Sequence, residues 1–134
     1  ILEDFPGYFW YGIHSAEMLF AKMGRGVQSV QAVSTDQAEV ITGTWSDGRI
    51  GQIYGTKFKG PGTFGCTVFT SETTEQAVAG ANPPYYALMM PKILEFFRTG
   101  KAPIEIAETI EITAFLEAAN RSRAKGGKTV KIAP

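Results

Sequence analysis

The sequence holds a single cysteine and a single histidine among 134 residues. Cys66 cannot close an internal disulfide, so packing must hold the fold, and a reducing, cytoplasmic setting is the expectation. His14 and Cys66 lie far apart and do not make the ligand set of a metal centre, which needs several such groups at defined spacing. Neither sign of charge is in excess: 13 Lys and Arg meet 13 Asp and Glu. A neutral chain gives no electrostatic reason to bind nucleic acid or an acidic membrane. Long apolar runs are missing too. The longest, Tyr85 to Met90, is too short to cross a bilayer and stops at Pro91-Lys92, and no segment reads as a signal peptide. The chain opens on Ile1 and not on Met, which predicts a further piece upstream.

What is present is enough for one domain. Apolar residues make up 44% of the chain, sufficient for a core at this length. From Ile13 to Met23 apolar residues recur at helical spacing (Ile13, Ala16, Leu19, Phe20, Met23), and Gly24-Arg25-Gly26 supplies a stop. Four strand-like runs follow: Val27 to Val33, Glu39 to Trp45, Ile50 to Lys59 with a bend at Gly55, and Phe64 to Thr70. Turn residues at 34–37 and 46–49 separate the first three, the second turn carrying the hairpin pair Asp47-Gly48. Short loops predict antiparallel pairing. Thr70 to Pro84 is rich in loop formers and gives no clear element. Tyr85 to Thr99 is helical in pattern, with Pro91 marking either a kink or the true first turn. A last helix, roughly Ala107 to Ala124, carries the stripe Ile112, Phe115, Leu116 and Ala119. Gly126-Gly127 ends it, and Thr129 to Ile132 is a short closing strand.

The predicted fold is α+β: an open, mainly antiparallel sheet with helices packed on one face. Val40, Thr42 and Thr44 oppose Ile41, Gly43 and Trp45 on the second strand, and Phe64, Cys66 and Val68 oppose Gly65, Thr67 and Phe69 on the fourth. Neither side is cleanly polar. The sheet face away from the helices is therefore expected to form a contact between subunits, against the alternative that helices or loops cover both faces.

Two motifs point away from the chemistry they suggest. Gly60-Pro61-Gly62-Thr63-Phe64-Gly65 has the letters of a dinucleotide fingerprint, but that fingerprint needs a helix after it to meet the pyrophosphate, and here a strand follows. Glu105, Glu108, Glu111 and Glu117 read as the solvated face and first-turn charges of the last helix rather than paired catalytic carboxylates. Arg121, Arg123, Lys125 and Lys128 suit that helix's C-terminal end. His14 stands apart. The segment Gly7-Tyr8-Phe9-Trp10-Tyr11-Gly12 delivers it to the start of a helix, which makes an aromatic pocket wall with one titratable group in it.

Taken together these blocks resemble the C-terminal domain of the Gfo/Idh/MocA oxidoreductases. Tyr11-Gly12-Ile13-His14-Ser15-Ala16-Glu17-Met18-Leu19 resembles the family's Gly-x-His helix opening. Trp45-Ser46-Asp47-Gly48-Arg49-Ile50-Gly51 resembles its central hairpin. Phe96 to Pro103 and Glu108-Thr109 to Ala118-Ala119 resemble its closing helices. The resemblance covers nearly the whole chain. It implies the C-terminal half of an NAD(P)-dependent enzyme acting on a sugar, polyol or related hydroxy compound. NAD or NADP would be bound by an N-terminal Rossmann domain of the same polypeptide, which also carries a catalytic lysine. This chain would then hold no cofactor and would supply the substrate pocket and a homo-oligomer contact.

By the same resemblance His14 is the catalytic histidine, moving a proton at a substrate hydroxyl, with Trp10 and Tyr11 against the small-molecule substrate. One position departs from the pattern. The family commonly has an aspartate four residues before the histidine, where this chain has Trp10, and an indole cannot accept a proton. Either His14 works with other partners, or the chemistry has shifted, or the chain is a non-catalytic oligomerisation or ligand-sensing relative.

Overall fold

The structure, a computed structural model, describes Phe9 and residues 11–57, 62–80 and 82–132. Nine elements follow in order: α1 (Gly12–Met23), β1 (Val27–Ser34), β2 (Ala38–Trp45), β3 (Ile50–Thr56), β4 (Gly65–Phe69), β5 (Thr74–Val78), α2 (Tyr85–Thr99), α3 (Ile106–Ala124) and β6 (Val130–Lys131). The fold is α+β, as the pattern predicts. β1, β2, β3 and β6 form an antiparallel sheet in the order β3-β2-β1-β6.

α1 and α3 cover one face of that sheet. The alternation of β2 decides which face: Ile41, Gly43 and Trp45 point inward and are buried. Val30 and Ala32 of β1 and Ile53 of β3 join them beneath Ala16 and Phe20 of α1 and Ile112, Phe115, Leu116 and Ala119 of α3. Phe20 is the hinge of the packing, its ring centroid 5.6 Å from both Trp45 and Phe115. Glycines let the layers close. A Cβ on Gly43 would stand 2.8 Å from the Trp45 ring and 2.9 Å from Phe115, and one on Gly51 2.7 Å from Leu19. The indole N–H of Trp45 donates to the Gly24 carbonyl at 2.9 Å, so the largest buried side chain is also satisfied.

Three polar ties fix this layer. Glu111 of α3 accepts from the backbone N–H groups of Gly26 (2.6 Å) and Val27 (2.8 Å), and Arg25 donates to its other oxygen at 3.3 Å. Reading Glu111 as part of a solvated helix face is therefore corrected: its side chain is 17% exposed, against 82% for Glu105. The buried Ser122 accepts from Ala32 N–H at 2.9 Å and donates to the Lys128 carbonyl at 2.7 Å. That takes up a β1 amide beyond the short β6 ladder, which pairs only at Ser29 and Val30. At the β2–β3 turn, Asp47 accepts from the Arg49 backbone and from its guanidinium (3.1 and 2.7 Å), while Arg49 donates onward to the Met23 carbonyl at the end of α1. These bonds from Arg49, the backbone one first, hold the Asp47 carboxyl below its ordinary value.

Two expectations fail. β4 does not extend the main sheet. It pairs with β5 in a separate two-stranded sheet, so the unassigned stretch after Thr70 contains its partner strand. Nor does every helix lie on the sheet: α2 buries no residue. Pro91 lies inside α2 and not at its first turn. The open face of the main sheet is mixed, as expected. Val33, Val40 and Tyr54 make one cross-strand row, and Gln31, Thr42 and Gln52 the next. Among the described residues no helix is long and apolar enough to cross a membrane.

Candidate functional site

His14 lies in the first turn of α1, two residues before the buried Ala16–Phe20 stripe begins to anchor the helix. That stripe faces the sheet, so the neighbouring position 14 turns outward, and its imidazole is about half exposed (55%). The ring of Tyr11, at the N-cap, stands 6.2 Å from the imidazole, and that of Phe64, just before β4, 5.7 Å. Both contacts are edge-to-face (64° and 83°), which steers the imidazole without covering it. Of the residues predicted for the site, the structure thus brings His14 and Tyr11 together. Trp10 lies outside the described residues.

Two members of the site were not visible in the sequence. Glu17, one helical turn after His14, places its Oε2 3.3 Å from the imidazole Nδ1. The spacing of three along a helix could have revealed it. When a neutral ring donates from Nδ1, Nε2 is left as the acceptor and points away from Glu17. A half-exposed pair of this kind orients more than it stabilises. Phe64 is fifty residues away in sequence and had no local signal.

Phe64 connects the histidine to a groove of about 530 Å³ between α1, β3 and β4. Met18, Leu19 and Met23 form one wall, Ile53 and Tyr54 a second, and Phe64, Cys66 and Val68 a third, with Ser15, Lys22, Gln52, Thr63 and Thr67 as the polar members. Its volume falls within the range of small-molecule pockets, but it is a groove widely open to solvent, with both apolar and polar residues in its lining. The free thiol of Cys66 is half-buried in it.

The glycine-rich segment does not take the form of a dinucleotide fingerprint. Of the glycine-rich segment, Gly60 and Pro61 lie outside the described residues, while Gly62 to Phe64 lead directly into strand β4 and not into a helix. No helix N-terminus is there to receive a pyrophosphate. Among the described residues no group of three or more His, Cys, Asp or Glu side chains is placed to hold a metal ion. Comparison with known proteins finds no relative: no family model, no curated protein and no solved structure matches the chain.

Proposed function

We propose that this chain is the C-terminal, substrate-side domain of an NAD(P)-dependent oxidoreductase acting on a sugar, polyol or related hydroxy compound. The observation that carries the reading is the setting of His14. It is the one histidine of the sequence, half exposed, in contact with two aromatic rings and oriented by a carboxylate, beside a groove of ligand size. The sequence blocks around it support the same reading. In it, Nε2 of His14 takes or returns the proton of a substrate hydroxyl, Tyr11 and Trp10 contact the substrate, and Glu17 takes over the orienting role that an aspartate at position 10 would have had. NAD or NADP binds to an N-terminal Rossmann domain of the same polypeptide, and the open sheet face forms a homo-oligomer contact in the cytoplasm.

The division of labour is testable by titrating NADH and NADPH into this chain. No binding is expected, and micromolar affinity would overturn the split. In the intact enzyme His14→Ala is expected to lower turnover by about 10²- to 10⁴-fold, the usual contribution of a general base. Unchanged turnover would remove His14 from the mechanism.

A second reading, a non-catalytic oligomerisation or ligand-sensing module, draws on a different observation. β5 and α2 bury no residue, and apart from the half-buried Ile93 their side chains are exposed. Such surfaces serve contact rather than chemistry. Turnover by the intact protein with a sugar or polyol and NAD(P) decides between the two.

A further inference from the structure

Between Lys57 and Ile106 the described residues make an arm of two elements: the β4–β5 hairpin, which meets the core at α1, and α2. A two-stranded hairpin is marginal alone in water, and so is a 15-residue helix. α2 is moreover rich in large apolar residues. At about 100° per residue, Tyr86, Met89, Met90, Ile93, Phe96 and Phe97 share one half of it, while Lys92, Glu95 and Arg98 lie on the other. Tyr85, Tyr86, Phe96 and Phe97 are between 40% and 76% exposed. At roughly 200 Å² per aromatic side chain, those four leave about 500 Å² uncovered. Met89 and Met90, also exposed and on the same side, bring the total to about 600 Å², so two copies together would cover more than the ~1,000 Å² that a specific interface needs. A monomer does not ordinarily leave so much in one place.

The order of residues along the stripe says what covers it. Ile93 is half-buried and stands close to the middle of α2 and to the centre of the apolar stripe. A two-fold axis at Ile93 lays the helix antiparallel on its own copy. Residue 89 then meets 97 and residue 90 meets 96. The flexible thioethers of Met89 and Met90 fall on the rings of Phe97 and Phe96, and the same contacts repeat in the other direction. Glu95 and Arg98 already close an ion pair at 2.7 Å on the far side of the helix, so covering the stripe buries neither charge.

We propose that α2 is a homodimerisation helix: two copies of this chain pair antiparallel through the Met89–Ile93–Phe97 stripe, about a two-fold axis at Ile93. This contact is separate from the open sheet face and does not depend on the enzymatic reading.

A residue on a two-fold axis meets itself, and the chain has one thiol to remove. In a Cys66→Ser background, Ile93→Cys is expected to form a disulfide-linked dimer under mild oxidation, while Thr99→Cys, on the polar side, stays unlinked. By analytical ultracentrifugation at micromolar concentration the intact chain is expected to be dimeric. Ile93→Asp raises the dissociation constant on the order of 100-fold, as for a residue at the centre of an interface. Phe97→Ala, which adds no charge, moves it the same way by less. A monomer at those concentrations, equal cross-linking at positions 93 and 99, or a dimer untouched by Ile93→Asp would each overturn the proposal. Tyr54→Arg separates the two surfaces. A dimer lost there and kept with Ile93→Asp belongs to the sheet face and sinks the α2 contact, while leaving the oxidoreductase reading standing.

Discussion

The two parts of this molecule use apolar residues in opposite ways. In the layer made by α1, the main sheet and α3, 14 apolar side chains are buried. In the arm made by β4, β5 and α2, none is. Composition hardly distinguishes them: Phe115 and Phe97 are the same residue at 0% and 76% exposure. What differs is the facing surface. α3 has a sheet whose inward positions include Gly43 and Gly51, which let the helices close down. α2 has no such seat within the described residues. Apolar content therefore says that a surface will be covered, and only geometry says by what.

The contrast is sharpest in truncations. Phe115→Ala empties the centre of the core and should cost about 3–5 kcal/mol in denaturant unfolding. Phe97→Ala, measured where the chain is monomeric, should change stability by less than about 0.5 kcal/mol. Comparable losses at the two sites would mean that α2 packs on the core after all.

Polar ties should follow in order of what they leave unpaired. Glu111→Ala strands two backbone amides of the α1–β1 turn, and a loss of about 2–3 kcal/mol is expected. Ser122→Ala removes one acceptor and one donor in a buried place and should cost about 1–2 kcal/mol.

The smallest effects concern orientation and charge. Glu17→Ala should barely alter stability, yet it should shift the imidazole tautomer of His14 away from the Nδ1–H form. Long-range ¹H–¹⁵N spectra report this directly, because the chain has no other histidine. An unchanged spectrum would mean that Glu17 does not hold the ring. The Asp47 carboxyl is lowered from 3.8 by the Arg49 bonds. A lowered carboxyl stabilises the fold above its unfolded value and loses that contribution as pH falls through the folded value. Acid unfolding below about pH 4 should therefore begin at higher pH in Arg49→Ala than in the parent chain. Coincident acid transitions would show that the Arg49 guanidinium contributes nothing beyond the backbone bond that Arg49→Ala retains.

Much of the core layer was legible because its signals are local. Ile13 to Met23 and the stripe Ile112–Ala119 have helical period, Asp47-Gly48 marks the hairpin, and both helices and three strands appear within a few residues of their places. The failures share one cause. Thr74–Val78 is exposed at every position, so it has no alternation to betray a strand, and β4 appeared to lack any partner but β3. Glu111 looks like its neighbours Glu108 and Glu117 because its function lies in amides at 26 and 27. α2 announced its helix but not its missing cover. In the site, His14 and Tyr11 were legible as a motif, whereas Phe64 enters from β4 through the tertiary fold.

The ties of α3 also set an order of assembly. Glu111 reaches back 85 residues to Gly26, and Ser122 reaches back 90 to Ala32. Closing loops of that length comes late, since chain entropy is lost before any contact compensates for it. Strands β1 to β3 can find each other early through their short turns, but their inner face stays wet until the last quarter of the chain docks. A chain stopped before Ile106 would have its hairpins and no lid. The fold should therefore form as a single cooperative step whose rate is governed by the arrival of α3, with α2 carried along as a tethered passenger.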